Sequence, residues 1–195
     1  MARPRNFDES QVLEGAVALF RESGFEGTSV PDITSRLGIC RQSLYTTFGD
    51  KRGLYLKALQ VYGQRETDTK LALLKNEGSP LENVRTVVRA LAALAATCPS
   101  DGCLIVGAIV ENHDDQEIRE FAEHEVERFE SGLQAALTEA QDKGELLVSA
   151  RPAKIARAIT TAMFGIGLLI RLPKSGPRVA DTVSVLLELI DETAA

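Results

Sequence analysis

The sequence lacks any apolar run that approaches the ~18 residues needed to cross a membrane. Its first residues, MARPRNFDES, contain basic side chains but no apolar stretch behind them, so a secretory signal is not predicted. The chain has three cysteines, and an odd number without such a signal favours reduced thiols over a disulfide framework. These absences predict a cytoplasmic protein with no membrane partner.

Motifs for catalysis and metal binding are also missing. There is no glycine-rich phosphate loop, no nucleophile elbow and no zinc signature. The two histidines, His113 and His124, lie among acidic residues, and Glu120, His124 and Glu127 would share one face of a helix. Because that stretch is acidic throughout, such a trio arises easily by chance. No metal, no cofactor and no enzymatic activity are therefore predicted.

What the chain does contain is enough apolar material for one large core or two smaller ones. It has 195 residues, of which 44% are hydrophobic and 26% are charged, as in an ordinary soluble globular protein. The charge is unevenly spread, because residues 1–60 carry a net +1 and residues 61–195 a net -7. A near-neutral segment can present a local cationic face to a polyanion that the acidic remainder would repel. This uneven charge indicates that the two parts of the chain have different functions.

Apolar residues recur at steps of three and four, and no sustained alternation predicts a sheet. The pattern predicts an all-α fold with nine helices. Caps and breaks place them from Asp8 to Gly24, Ser29 to Gly38, Arg41 to Phe48, Asp50 onward, Leu81 to the CPSDG break at 98–102, over 102–112 and 115–142, after Pro152, and through Val179 to Ile190.

The second and third predicted helices are short and joined at Gly38, as in a helix-turn-helix. If Leu44 and Phe48 point to the core, the polar residues of the third helix face mostly outward: Arg41, Gln42, Ser43, Tyr45 and Thr46. Such side chains can contact base edges and phosphates in a major groove. Lys51 and Arg52 begin the fourth helix, where a bound phosphate would also meet free N–H groups.

At this point the residues carry a family resemblance. The stretch over 2–59, with GFEGTSV at 24–30, LGI at 37–39 and SLYTTFGDK at 43–51, strongly resembles the DNA-binding domain of TetR-family transcriptional regulators. The resemblance implies an all-helical homodimer, with a helix-turn-helix domain over 1–50. It also implies an effector-binding and dimerisation domain over 51–195. Cys40 departs from the family pattern, since a thiol is a weak helix cap.

Together, the spacing and the resemblance predict which residues contact DNA. The predicted contacts are Thr28, Arg41, Gln42, Ser43, Tyr45, Thr46 and Lys51. A short polar cluster outside such a motif is more often a solvated face. Tyr45 has a second interpretation, in which its ring packs against the first helix.

The last two predicted helices are too apolar for an isolated surface, and a dimer is expected there. The predicted interface comprises Ile159, Met163, Ile166, Val179, Val183, Leu186, Leu187 and Ile190. An effector pocket could be lined by Phe121, Phe129, Met163 and Phe164, although an apolar stripe at helical spacing is more often core. Gly165 and Gly167 could line a channel or permit close helix contact, and the second interpretation is favoured.

CPSDGCLIVGAIVE, residues 98–111, suggests a thiol sensor. Cys103 falls in the first turn of the sixth helix, and Cys98 lies five residues earlier. The letters GCL are similar to a branch of TetR-type regulators that includes thiol- and electrophile-responsive repressors. The alternative is that both cysteines are small buried hydrophobes.

The sequence therefore predicts a repressor that leaves a double-stranded DNA operator when a small molecule, electrophile or oxidant is sensed. One alternative is a helical adaptor protein that kept the fold and lost DNA affinity. A second is a thiol enzyme centred on Cys103.

Overall fold

The computed structural model of the chain describes residues 7–97 and 102–195, apart from the side chains of 94–97. This part of the chain folds into nine helices and no strand, which confirms the predicted all-α class. The helices are α1 (Glu9–Ser23), α2 (Val30–Leu37), α3 (Arg41–Phe48), α4 (Lys51–Leu74), α5 (Pro80–Thr97), α6 (Leu104–Glu111), α7 (Gln116–Asp142), α8 (Pro152–Leu169) and α9 (Gly176–Glu192). One isolated bridge pairs Leu146 with Ala194.

Three helices begin at the caps that the sequence predicts. The Asp8 carboxylate accepts the N–H of Ser10 at 2.9 Å, and the Asp50 carboxylate accepts the N–H of Gly53 at 2.7 Å. Ser29 and Asp32 form the predicted capping box, in which each side chain accepts the other residue's N–H. Each cap satisfies a backbone donor that the first turn of a helix leaves without a partner.

The turn between α2 and α3 depends on Gly38, which has the left-handed φ of 65° and ψ of 25°. A residue with a side chain is strained there, so the predicted role of this glycine is confirmed. Cys40 follows at the N-cap of α3, and its thiol makes no cap hydrogen bond to the backbone. Its Sγ lies 3.3 Å from Ser43 Oγ, and the hydrogen bond from that side chain lowers the pKa of the Cys40 thiol.

The chain divides into two compact units that are not continuous in sequence. The first unit joins Met1–Gln64 to Cys103–Ala122, and the second joins Arg65–Gly102 to Glu123–Ala195. Helices α4 and α7 therefore each contribute residues to both units. The predicted boundary at residue 50 separates a DNA-binding part from an effector-binding and dimerisation part, and this division stays a prediction.

The core of the first unit is built around α1, α2 and α3. Phe20, Ile33 and Leu44 are fully buried, and each such side chain contributes roughly 1.5–3 kcal/mol to folding. Tyr55 of α4 packs edge-on against Phe20, with ring centroids 4.9 Å apart, and contacts Phe25 at the same distance. Ring contacts thus hold α4 against α1 and against the turn that precedes α2.

Most of the predicted dimer interface lies in the core of the second unit, and its role in pairing stays a prediction. Six of its eight residues are buried within the protomer and belong to one apolar cluster: Ile159, Ile166, Val179, Val183, Leu186 and Ile190. The other two, Met163 and Leu187, are half-buried and pack against that cluster. An apolar stripe shows that a helix face is covered, but not whether its own chain or a partner covers it.

The start of α5 is held by an acid from far along the chain. The Glu145 carboxylate accepts the Ser79 hydroxyl at 2.7 Å and the Leu81 N–H at 3.0 Å. The hydrogen bond from Ser79, with that from the Leu81 N–H, holds the pKa of Glu145 below its ordinary value. A carboxyl group with a lowered pKa stabilises the folded state above its ordinary pKa, and this contribution is lost as the pH falls through the lowered one.

Glu145→Gln is therefore expected to lower the thermal midpoint at pH 7 and to flatten its decline below about pH 5. Thermal unfolding followed by circular dichroism between pH 7 and pH 3 measures both effects. The matched control is Glu77→Gln, an exposed glutamate on the turn between α4 and α5. Equal changes in the two variants would contradict the role of Glu145.

Candidate nucleic-acid interface

Helix α3 presents a polar surface to solvent. Arg41, Gln42, Tyr45 and Thr46 are exposed, and we call these four residues the reading surface. The opposite side of α3 is anchored by Leu44 and Phe48, which are buried as their spacing predicts. Tyr45 is 52% exposed, so its ring does not pack into the core. The arrangement suits a helix that inserts polar side chains into a groove.

Two other predicted contact residues are less available. Ser43 is half-buried and contacts Cys40. Thr28 is only 1% exposed, and its hydroxyl donates a hydrogen bond to the Gly24 carbonyl at 2.7 Å. The Thr28 side chain therefore stabilises the turn between α1 and α2 and does not belong to the reading surface.

Lys51 also has a structural role that the sequence did not indicate. Its ammonium donates to the carbonyl oxygens of Phe25 and Thr28, at 2.9 and 3.0 Å. The same nitrogen lies 4.1 Å from the centroid of the Phe25 ring, a cation–π distance. A phosphate at this position would compete with two carbonyl groups for the lysine.

Arg52, the next residue, is paired with two acids. Its guanidinium donates to Asp115 at 2.7 and 2.9 Å and to Glu117 at 2.9 Å. These hydrogen bonds raise the pKa of Arg52, and the guanidinium lowers the pKa of Asp115. The positive charge of Arg52 is therefore neutralised within the first unit.

Glu111, the last residue of α6, binds the turn between α1 and α2. Its Oε2 accepts the N–H of Phe25 at 2.6 Å and that of Glu26 at 3.3 Å. Gly24 has a φ of 73°, and a Cβ there would collide with the Glu111 carboxylate, so only glycine fits. Sequence reasoning missed this contact because its partners lie 86 residues apart.

The described residues of the predicted effector and redox set belong to both units. Cys103 is the half-buried N-cap of α6, with no cap hydrogen bond, and Cys98 lies outside the described residues. Phe121 is half-buried in the first unit. In the second unit, Phe129 is buried in the apolar cluster, Met163 packs against that cluster, and Phe164 is half-buried.

Two buried polar groups stand out in the second unit. Glu125 is 2% exposed and accepts two hydrogen bonds from Arg128, at 3.1 and 3.0 Å. Arg128 also donates to Asp68 at 2.6 Å, so the buried acid is compensated. Thr160 is 3% exposed, and its hydroxyl has no hydrogen-bond partner among the described residues. A buried hydroxyl without a partner costs about 1–3 kcal/mol unless a ligand or water satisfies it.

The described residues show neither a metal-binding cluster nor a membrane-spanning helix. They hold no group of three or more His, Cys, Asp or Glu side chains placed to share a metal ion. None of the helices within 7–97 and 102–195 combines the length and apolar character of a bilayer-crossing segment.

Comparison with known proteins agrees with this architecture. Residues 12–58 match the family described as bacterial regulatory proteins, tetR family, and residues 80–185 match the tetracyclin repressor-like C-terminal domain. The uncharacterized HTH-type transcriptional regulator YezE of Bacillus subtilis is 31% identical, covering 98% of this chain and 100% of its own length. The transcriptional repressor BdcR of Escherichia coli is 32% identical over 58% of each chain.

A solved structure shows the same fold. A cysteine mutant of the TetR-family regulator CifR, in complex with 26-bp operator DNA, superposes with a TM-score of 0.82 at 23% identity. The superposition covers 98% of this chain and 100% of that one. The fold and the reading surface define a helix-turn-helix transcriptional regulator. The two family matches and the full-length relative place the chain in the TetR family.

Proposed function

We propose that the protein is a repressor that binds an operator in double-stranded DNA through its reading surface. The main support for this proposal is that α3 has one side buried in the core and an exposed side that carries Arg41, Gln42, Tyr45 and Thr46. Arg and Gln are suited to bidentate hydrogen bonds with guanine and adenine. CifR, which has this fold, is bound to operator DNA in its structure. Such a protein would act in the cytoplasm, where bacterial DNA lies.

The test is binding of the purified protein to fluorescent duplexes from the region upstream of its own gene. We expect one duplex to bind more tightly than scrambled DNA, with an affinity that falls steeply as salt rises. A helical adaptor that had lost DNA affinity would show no such preference and no salt-dependent binding.

We also propose that two copies pair through the exposed side of the last two helices. Leu168 and Leu169 of α8, Leu172 after it, and Val185 and Leu189 of α9 are between 36% and 52% exposed, and we call this set the apolar α8–α9 face. Gly165 on α8 is exposed, and nothing lies within 4 Å of where its Cβ would be. That open space would admit the helix of a second copy.

The effector is proposed to act in the second unit. The unsatisfied hydroxyl of Thr160 supports a ligand that contributes a hydrogen-bonding group, because it would relieve the cost of an unpaired buried polar atom. Effector binding would change the distance between the two reading surfaces of a dimer. The repressor would leave the operator if that distance no longer matched the spacing of the two half-sites.

A thiol signal is proposed as the second route to release. Cys103 is half-buried at the N-cap of α6, the helix that ends at Glu111. Modification of Cys103 would therefore act on a helix that holds the turn before α2. Cys40 complicates the test, because it is exposed beside the reading surface and its thiol pKa is lowered. An adduct on Cys40 would block DNA by steric hindrance alone.

We expect N-ethylmaleimide to release a Cys40→Ser protein from DNA, and the Cys40→Ser, Cys103→Ser double variant to resist release. Mass mapping of the folded protein, alongside DNA binding by fluorescence anisotropy, measures modification and release together. If the double variant is released equally, Cys103 is not the sensor. Repeated consumption of the electrophile by Cys103 would instead indicate a thiol enzyme.

A further inference from the structure

The turn between α1 and α2 offers consecutive backbone donors to a single carboxylate. The N–H groups of Phe25 and Glu26 both point to Oε2 of Glu111. Hydrogen bonds to an ionised acceptor are shorter and about twice as strong as neutral ones, and the Phe25 contact at 2.6 Å is short. The carboxylate of α6 thus occupies a small anion-binding concavity made by the turn.

A second contact also joins the two segments of the first unit, Met1–Gln64 and Cys103–Ala122. Arg52, at the start of α4, forms its bidentate pair with Asp115, just after α6. The turn at 25–26 precedes α2, and Arg52 follows α3. Residues 103–122 therefore hold the helix-turn-helix on both of its flanks, through Glu111 on one side and Asp115 on the other.

We propose that Glu111 is a positioning residue for DNA recognition, which fixes the turn before α2 and thereby the direction in which α3 presents the reading surface. This inference rests on the proposed function. Glu111 itself lies in α6, outside the reading surface. Its effect on affinity is expected to pass through the N–H groups of Phe25 and Glu26 alone.

We expect the contact to be lost without unfolding of the unit, because the core under the turn is built from apolar side chains. Phe20, Ile33, Leu44 and Tyr55 are buried, and Glu26 is exposed, so water can reach the turn when its N–H groups are released. What changes is the freedom of the turn. Alignment of α3 on DNA is sensitive to this, while the free energy of unfolding is affected much less.

The experiment compares Glu111→Ala, which removes the acceptor, with Glu111→Gln, which keeps an oxygen of the same reach but no charge. The matched control is Asn112→Ala. Asn112 is the next residue and the C-cap of α6, and its side-chain nitrogen has no hydrogen-bond partner among the described residues. The readouts are affinity for the duplex that the wild type selects, the thermal midpoint, and the amide proton shift and hydrogen exchange of Phe25 and Glu26 by NMR.

We expect Glu111→Ala to weaken operator binding by about 10-fold while the protein remains folded at the assay temperature. Glu111→Gln should recover most of the affinity, to within about 3-fold of the wild type, because an amide oxygen still accepts both N–H groups. In the alanine variant, the Phe25 amide proton should move upfield and exchange faster. Asn112→Ala should bind like the wild type.

Wild-type affinity in Glu111→Ala would overturn the inference, as would an equal loss in Asn112→Ala or no recovery in Glu111→Gln. Unchanged Phe25 and Glu26 amides in Glu111→Ala would overturn it without any DNA being present. Failure of the wild type to bind any duplex refutes the proposed function instead. In that case a changed Phe25 amide would still show that Glu111 holds the turn, while its role in recognition would fall.

Discussion

Arg41→Ala is expected to weaken operator binding by about 1–3 kcal/mol and to relax the preference for one base pair, and Gln42→Ala should do the same at a neighbouring base pair. Both side chains are exposed on α3, and Leu44 and Phe48 hold the opposite side of the helix in the core. Their loss should remove base contacts while the fold is kept. Fluorescence anisotropy with the selected duplex and with single base-pair variants of it measures both effects.

The matched control is Lys75→Ala, which removes one positive charge from an exposed position in the second unit. It should leave affinity and base preference unchanged. If Arg41→Ala and Gln42→Ala retained full affinity and the same dependence on salt, the reading surface would be assigned wrongly. Lys51→Ala should lower affinity for a different reason, because it frees the turn carbonyls of Phe25 and Thr28.

A larger effect is expected from charges placed on the apolar α8–α9 face. The double variant Val185→Glu, Leu189→Glu should be a monomer at micromolar concentration, because two acids per copy would meet across a two-fold axis. Val185 and Leu189 are about half exposed, so the protomer itself should fold. Loss of the second reading surface should reduce operator affinity by about 100-fold or more, since the two half-sites would no longer bind as one.

Val148→Glu is the control, because Val148 is 93% exposed and lies in the same unit. It introduces one negative charge where the double variant introduces two, and it should leave the dimer intact. Ile190→Ala separates core from interface: Ile190 is 1% exposed, and its truncation should cost about 2–5 kcal/mol of stability. A double variant that sediments as a dimer would show that the copies pair elsewhere, and a monomeric wild type would show that the copies do not pair at this concentration.

Local signals in the sequence were enough to predict the order and ends of the helices. Asp8, Asp50 and the Ser29–Asp32 box cap helices with atoms from the same turn, and Gly38 takes a backbone shape that few other residues tolerate. The outward face of α3 was also predictable, because the spacing of Leu44 and Phe48 fixes which side is buried.

Contacts between distant parts of the chain were not predictable in this way. Lys51 has the charge and the position expected of a phosphate-binding residue. Only the fold shows that two carbonyl groups accept hydrogen bonds from its ammonium group. Glu111 lies in a segment of acidic residues where no pattern distinguishes it from its neighbours. The apolar stripes of α8 and α9 predicted burial correctly at Ile159 and Ile190, but a stripe does not show whether the protomer or a partner provides that burial.

The discontinuous first unit has a consequence for building chimeric regulators. Exchanging residues 1–50 between two family members would transplant the reading surface without the segment at 103–122 that secures it. Phe25 would then meet a foreign α6, unless that helix happened to supply an acid at the right place. The transferable module is therefore 1–64 together with 103–122. A graft that respects this boundary carries its own supports for the turn before α2 and for the start of α4.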